Sequence, residues 1–279
     1  MSALLSCDSL EFFQCNGFVV VPDFYDLYEI ESIQRTIYSI IGLVIQERGL
    51  SIKQQNFTPE TFDSGFQELI THDRALGGRV YDAVKQIPAF VRLVACEKHE
   101  AIMRQVRETD QPAIVAGGYG IRIDNPGEEK FRAGWHQDYP AQIRSLDGIV
   151  FWSPLIEMIP ELGPVEFCLG SHKDGLAPVC ETDEMNPEKT GAYGLTLSDE
   201  EDLVGRYEKT APLTKPSDLV LIDFLTLHRS GKNVSARARW SLQMRWFNFS
   251  EPTGKRLGWP GVYSCGSELR AVHPEMVMD

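Results

Sequence analysis

The sequence has no C-x-x-C pair; Cys7, Cys15, Cys96, Cys168, Cys180 and Cys265 are scattered over 279 residues. Zinc ribbons and thioredoxin-type redox motifs need close cysteine pairs, so both are excluded. A disulfide framework belongs to short secreted chains with little core, and this chain is long enough to bury a large one. Free thiols in a reducing cytoplasm are therefore expected. Long apolar runs are missing too: no window approaches the ~18 residues of a membrane span. The start, MSALLSCDSLEFF, lacks the basic stretch and apolar run of a signal peptide. Basic charge is in deficit, with 27 Lys and Arg against 40 Asp and Glu and a net −13. That balance repels a phosphate backbone or an anionic membrane face, so the expected partner is a small molecule, with no nucleic acid and no membrane. Repeats and low-complexity segments are absent, and a 43% hydrophobic, 10% aromatic composition is that of an ordinary globular chain. We expect a single domain over 1–279.

What is present changes character near residue 110. Over 26–108 the pattern is helical. Asp26 and Glu29 make a capping box, and Ile30, Ile33, Ile37, Ile41, Val44 and Ile45 then mark one helix face up to a stop at Arg48-Gly49. Further helices are expected around 61–72, 74–86 and 89–107, and GFVVVPDF (17–24) is a short β run before them. From 113 to about 250 short β runs alternate with Gly and Pro: AIVAGGYGIRI, GWHQDYP, GIVFWSPL, GPVEFCLG, DLVLIDFLTLH and RWSLQMRWFNF. Strands at this spacing predict a sandwich or jelly roll. The polar stretch 180–215 interrupts them and is of a length that suits a lid. The fold class is α+β, a helical layer packed on a jelly roll.

Only six histidines exist, His72, His99, His136, His172, His228 and His273. His136 and Asp138 lie in G-W-H-Q-D-Y-P; on an extended strand they point to one face and converge on one ion, half of a 2-His-1-carboxylate set. The apolar run DLVLIDFLTLH ends in His228, with Arg239 eleven residues beyond. A hairpin over 231–236 would return Arg239 and Ser241 to the site. A buried arginine needs an anion, and the 5-carboxylate of 2-oxoglutarate suits its fork, with the Ser241 hydroxyl as a second donor. Arg237 and Arg245 are expected to be edge residues paired with local acids.

In order and spacing, W-H-Q-D, then G-P-V-E-F-C-L-G-S-H-K, then L-H-R-S-G-K-N with Arg239, resembles the phytanoyl-CoA dioxygenase-like family of Fe(II)/2-oxoglutarate oxygenases. EFFQCNGFVVVPDFYD is similar to that family's N-terminus, and the resemblance spans roughly 10–250. It implies a double-stranded β-helix, His136, Asp138 and His228 as iron ligands, Arg239 as the 2-oxoglutarate anchor and Trp152 lining the co-substrate pocket. It also implies O2 as second co-substrate and succinate and CO2 as co-products, with ascorbate as a possible support of activity. His172, in a Gly-flanked turn, is the rival distal ligand; a rigid strand favours His228. Because halogenating relatives carry a small residue where Asp138 stands, the resemblance favours hydroxylation or another oxidation. In GGYGIRIDNP, Arg122 and Asp124 share one face and Tyr119, Ile121 and Ile123 the other; either could look inward. Tyr139 is a candidate substrate contact or a core residue, and Arg122 and Arg144 are candidate contacts for an anionic group or solvated charges. Two other readings stay open. One is a metal-dependent cupin-like isomerase or hydrolase; the other is a silent jelly-roll binding protein.

Overall fold

The computed structural model describes residues 4–181, 195–260 and 267–278. Its first helix, α1 (Cys7–Asn16), starts where Ser6 Oγ accepts the Ser9 N–H at 3.1 Å and stops at Gly17, whose φ of 79° is left-handed. Strand β1 (Phe18–Val21) leads into α2 (Leu27–Glu47), capped by the Glu29 carboxylate on the Asp26 N–H at 3.1 Å. Ile30, Ile33, Ile37, Ile41 and Ile45 all face inward, as the 3.6-residue period requires. Helices α3 (Phe66–His72), α4 (Arg74–Val84), α5 (Pro88–Val94) and α6 (Glu97–Arg107) complete the layer. Two boundaries differ from expectation. The helix expected over 61–72 begins only at Phe66, because Gly65 is left-handed with φ 88°. The stretch 89–107 splits in two because Cys96 is extended (φ −73°, ψ 147°).

The β region contains β2 (Pro112–Ile114), β3 (Gly120–Asp124), the short helix α7 (Tyr139–Gln142), β4 (Gly148–Pro154), β5 (Val165–Cys168), β6 (Val179–Cys180) and β7 (Thr196–Leu197). Then come α8 (Glu200–Gly205), β8 (Lys209–Thr210), β9 (Leu219–Asp223), β10 (His228–Ser230), β11 (Arg239–Asn248), α9 (Pro252–Leu257), α10 (Ser267–Val272) and β12 (Val277–Met278). The large sheet runs β1-β9-β4-β11-β2, with β3 also on β11, and every pairing in it is antiparallel. A second antiparallel sheet is β10-β5-β8, and a third ties β12 and β7 to β6. Of the expected insert 180–215, residues 182–194 lie outside the described ones; its flanks form β7, α8 and β8.

Alternation along β11 divides the molecule into two cores. Trp240, Leu242, Met244 and Trp246 pack with the isoleucines of α2, whereas Val150, Trp152, Val220 and Ile222 join Phe167 of the second sheet. Phe18 stacks on Phe167 with centroids 4.3 Å apart, linking the sheets. Ile121 and Ile123 of β3 pack toward the helical layer, which sends Arg122 and Asp124 to the interior between the sheets.

Three local expectations are corrected. DLVLIDFLTLH is not one strand: the Asp223 carboxylate accepts the Leu225 N–H at 2.8 Å and its carbonyl the Thr226 N–H at 3.0 Å, a turn that ends β9. His228 therefore opens β10, in the other sheet. No hairpin joins β10 to β11, since β11 lies beside β4 and β3 while β10 lies beside β5. Finally, G-W-H-Q-D-Y-P is not a strand. His136 makes a single bridge to His228, and Asp138 already has helical backbone angles before Pro140 in α7.

Candidate metal centre

His136 and His228 exchange backbone hydrogen bonds, His136 N–H to His228 O at 3.0 Å and the reverse at 3.1 Å. This places the two rings 4.2 Å apart between centroids. The Phe224 carbonyl accepts the Asp138 N–H at 2.9 Å and turns the carboxylate toward them. Gly148 permits this, because a Cβ there would stand 2.1 Å from the Phe224 ring. One ligand atom from each of His136, Asp138 and His228 lies within 4.8 Å of the others, and no other such cluster of three occurs among the described residues.

The donor chemistry fits a divalent transition metal. His136 Nδ1 lies 2.8 Å from the Gly134 carbonyl and His228 Nδ1 2.9 Å from the Thr226 carbonyl. A carbonyl only accepts, so each Nδ1 carries the proton and each Nε2 keeps its lone pair. Burial keeps both imidazoles neutral: it pulls His136 down to about 3, with His228 adding to the effect, and lowers His228 as well. Burial would raise Asp138, but Arg245 and the two imidazoles outweigh it and hold the carboxyl at about 2. Asp138 Oδ2 is buried without a hydrogen-bond partner, 3.3 Å from His228 Nε2. Two neutral imidazoles and an ionised carboxylate form the facial set that suits Fe(II) and leaves three positions for other ligands.

Arg239, Ser241, Gln243 and Arg245 line the interior face of β11. Arg239 is 1% exposed; its Nη2 donates to Asp124 at 2.7 Å and to Ser230 Oγ at 2.8 Å, and its Nη1 to the Gly163 carbonyl. Arg122 holds the same Asp124 carboxylate at 2.8 Å. Arg239 Nε and the fully buried Ser241 Oγ have no partner. These two donors, on one strand face, fit a carboxylate of a 2-oxoglutarate molecule.

Residues 13–241, well over half the chain, match the phytanoyl-CoA dioxygenase (PhyH) family. The chain belongs to that family. Among solved structures it resembles EctD from S. alaskensis, crystallised with 2-oxoglutarate and 5-hydroxyectoine, at 18% identity and TM-score 0.57, covering 90% of this chain and 78% of EctD. It also resembles the 2-oxoglutarate-dependent carbocyclase SnoK of nogalamycin biosynthesis (15% identity, TM-score 0.56, 95% of each chain). A third is the epimerase SnoN of the same biosynthesis (14% identity, TM-score 0.52, 88% of this chain and 85% of SnoN). No curated protein matches the sequence. The shared fold is the double-stranded β-helix.

Within this family member the remaining candidates are dispersed. Trp152 lies on the interior face of β4, 5% exposed, opposite Gln243. Tyr139 is fully buried, and its hydroxyl is 2.7 Å from His273 Nε2, so it sits in the core, tied to the C-terminal segment. Arg144 is no solvated charge: it is 2% exposed and donates to Gln142 Oε1 and the Ala116 carbonyl, both at 2.9 Å. His172 turns away, with Nε2 3.2 Å from the Gln14 carbonyl, and His99 is buried against Tyr25. Arg237 does pair with a local acid, Asp63, at 2.7 Å. Arg245 does not behave as an edge residue; its Nε donates to Asp138 Oδ1 at 2.7 Å. The missed signal was parity, since 239, 241, 243 and 245 share one face of a strand.

Proposed function

We propose that this protein is an Fe(II)- and 2-oxoglutarate-dependent dioxygenase that hydroxylates a small soluble metabolite in the cytoplasm. The observation that carries the proposal is the buried, partnerless Asp138 Oδ2 facing two imidazoles whose Nδ1 protons are already committed. In this reading His136, Asp138 and His228 hold iron, and Arg239 with Ser241 anchors the co-substrate's distal carboxylate. Bound there, iron would supply the oxidation: O2 would give one oxygen atom to the substrate and the other to the succinate formed, with CO2, from 2-oxoglutarate. The chain's own part is orientation and dryness. Trp152 walls the pocket, and the Arg122–Asp124–Arg239 chain of ion pairs fixes the anchor's direction. A cupin-like isomerase or hydrolase would have no use for the two buried donors on β11.

The cytoplasmic assignment rests on the free described cysteines, Cys7, Cys15, Cys96, Cys168 and Cys180. Among the described residues no helix is long and apolar enough to cross a membrane. For the substrate we favour a small molecule with an anionic group, because Arg122, Arg239 and Arg245 on the interior face stand against two carboxylates among the described residues, Asp124 and Asp138, a surplus of positive charge there. The test is succinate release from 2-oxoglutarate with Fe(II) and ascorbate across free acids, zwitterions and acyl-CoA thioesters, with products identified by mass. A product heavier by one oxygen, from a small anion, is expected. Coupling to thioesters alone would refute the substrate class. Stoichiometric succinate with an isomerised or cyclised product would refute hydroxylation while keeping the cofactors.

A further inference from the structure

Arg245 is the one cation of β11 that touches a member of the metal cluster, and its contact is selective. Its Nε donates to Asp138 Oδ1 at 2.7 Å and its Nη1 to the Gly118 carbonyl at 3.1 Å, with Nη2 3.4 Å from Gln243 Oε1. The rigid guanidinium is thus fixed by a backbone acceptor at one end and the carboxylate at the other. Asp138 itself is fixed from behind by the Phe224 carbonyl on its N–H at 2.9 Å. One carboxylate oxygen is therefore taken by a hydrogen bond, while Oδ2 has none and faces His228 Nε2.

We infer that Arg245 is a positioning residue that makes Asp138 a one-oxygen metal ligand. The inference rests on the reading of His136, Asp138 and His228 as a metal site. A carboxylate free to rotate can offer both oxygens to a cation. Occupying Oδ1 with an always-charged donor removes that option without neutralising the ligand. The count of positions makes this matter. Two imidazoles and one oxygen leave three of six octahedral positions, enough for a bidentate 2-oxo acid and O2; a second Asp138 oxygen would take one of them. Charge works in the opposite direction, since a cation beside the site repels a metal ion. Partners that orient a ligand nevertheless change metal affinity by about 10- to 100-fold when removed, so orientation should win.

The test uses the metal-free full-length protein titrated with Co(II) as probe, by calorimetry and by the visible d–d absorption that reports coordination number. Arg245→Ala should weaken Co(II) binding by about 10-fold or more, alter the absorption envelope, and raise the KM for 2-oxoglutarate more than it lowers kcat. Arg245→Lys and Arg245→Gln provide folded alternatives. Lys, which keeps the charge but loses the fork, should recover only part of the affinity. In an Asp138→Ala background the further change Arg245→Ala should cause no loss of Co(II) affinity, because the orienting effect acts only through that carboxylate; with the cation's repulsion gone, affinity should stay equal or rise slightly. Equal losses in both backgrounds would overturn the inference, as would a d–d spectrum identical to wild type in all three variants. Failure of the wild type to bind Co(II), or binding that survives His136→Ala, would instead overturn the metal site itself.

Discussion

Replacing Arg239 with Ala separates an anchor from a structural cation, because the structure sets two magnitudes for it. The first is stability. Arg239 is 1% exposed and shares Asp124 with Arg122, so its loss leaves that carboxylate with one guanidinium rather than none. Stranding a buried charge costs about 3–5 kcal/mol, and the remaining Arg122 should hold the loss near the bottom of that range. The second is co-substrate affinity. Removing one partner of a desolvated charge pair costs roughly 2–5 kcal/mol, which at ~1.4 kcal/mol per decade is a rise of about 30-fold or more in the KM for 2-oxoglutarate. Arg237 supplies the control: its side chain is 35% exposed and pairs with Asp63, away from the interior face. Arg237→Ala should change that KM less than about threefold, because the pair lies off the interior face; with the Asp63 side chain only 9% exposed, the cost falls on stability instead. The assay is succinate release against 2-oxoglutarate concentration at saturating Fe(II), with urea unfolding of the same preparations. A KM for Arg239→Ala within threefold of wild type, or equal to that of Arg237→Ala, would refute the anchor.

Three further outcomes follow from the buried polar groups. Burial holds the His99 imidazole at about 3, below its ordinary 6.5, so beneath about pH 6.5 the unfolded chain binds a proton that the folded one refuses. Stability of the metal-free protein should fall with decreasing pH at up to about 1.4 kcal/mol per unit from this residue; His99→Gln should flatten the slope, and an unchanged slope would refute the assignment. Asp124 has the same sign at lower pH. Burial would raise it, but Arg122 and Arg239 hold it at about 2, so its contribution is present above about 3.8 and lost toward 2; Asp124→Asn should remove that acid step in urea titrations. Tyr139→Phe should cost about 1 kcal/mol by breaking its bond to His273, and a double-mutant cycle with His273→Ala should show coupling; additive losses would mean the two act separately.

The helical layer and the strand inventory were legible because their signals are periodic and local. Isoleucines at 30, 33, 37, 41 and 45 can face one way only in a helix, and Glu29 caps it as its spacing to Asp26 implies. The β runs at 148–154 and 239–248 are strands for the same reason. Connectivity was less legible. Asp223 inside an apolar run reads as a tolerated polar residue, but its carboxylate closes a turn, so His228 opens a strand in the second sheet. The H-x-D spacing suggested convergence through strand alternation. In the structure the two residues converge through one bridge followed by a helical turn. Which face of β3 looks inward required the third dimension, since Ile121 and Ile123 are as apolar as any interior pair but belong to the helical layer. The expectation that Arg245 behaves like Arg237 fails because 237 lies before the strand, whereas 245 lies within it and shares the parity of 239.

The measurement closest to the central claim is anaerobic titration of metal-free protein with Fe(II) in the presence of 2-oxoglutarate, following the charge-transfer absorption of the chelated co-substrate. One Fe(II) per chain is expected in the wild type, with the band retained in His172→Ala and lost in His136→Ala, Asp138→Ala and His228→Ala. A band that survives His228→Ala, or that disappears in His172→Ala, would contradict that claim.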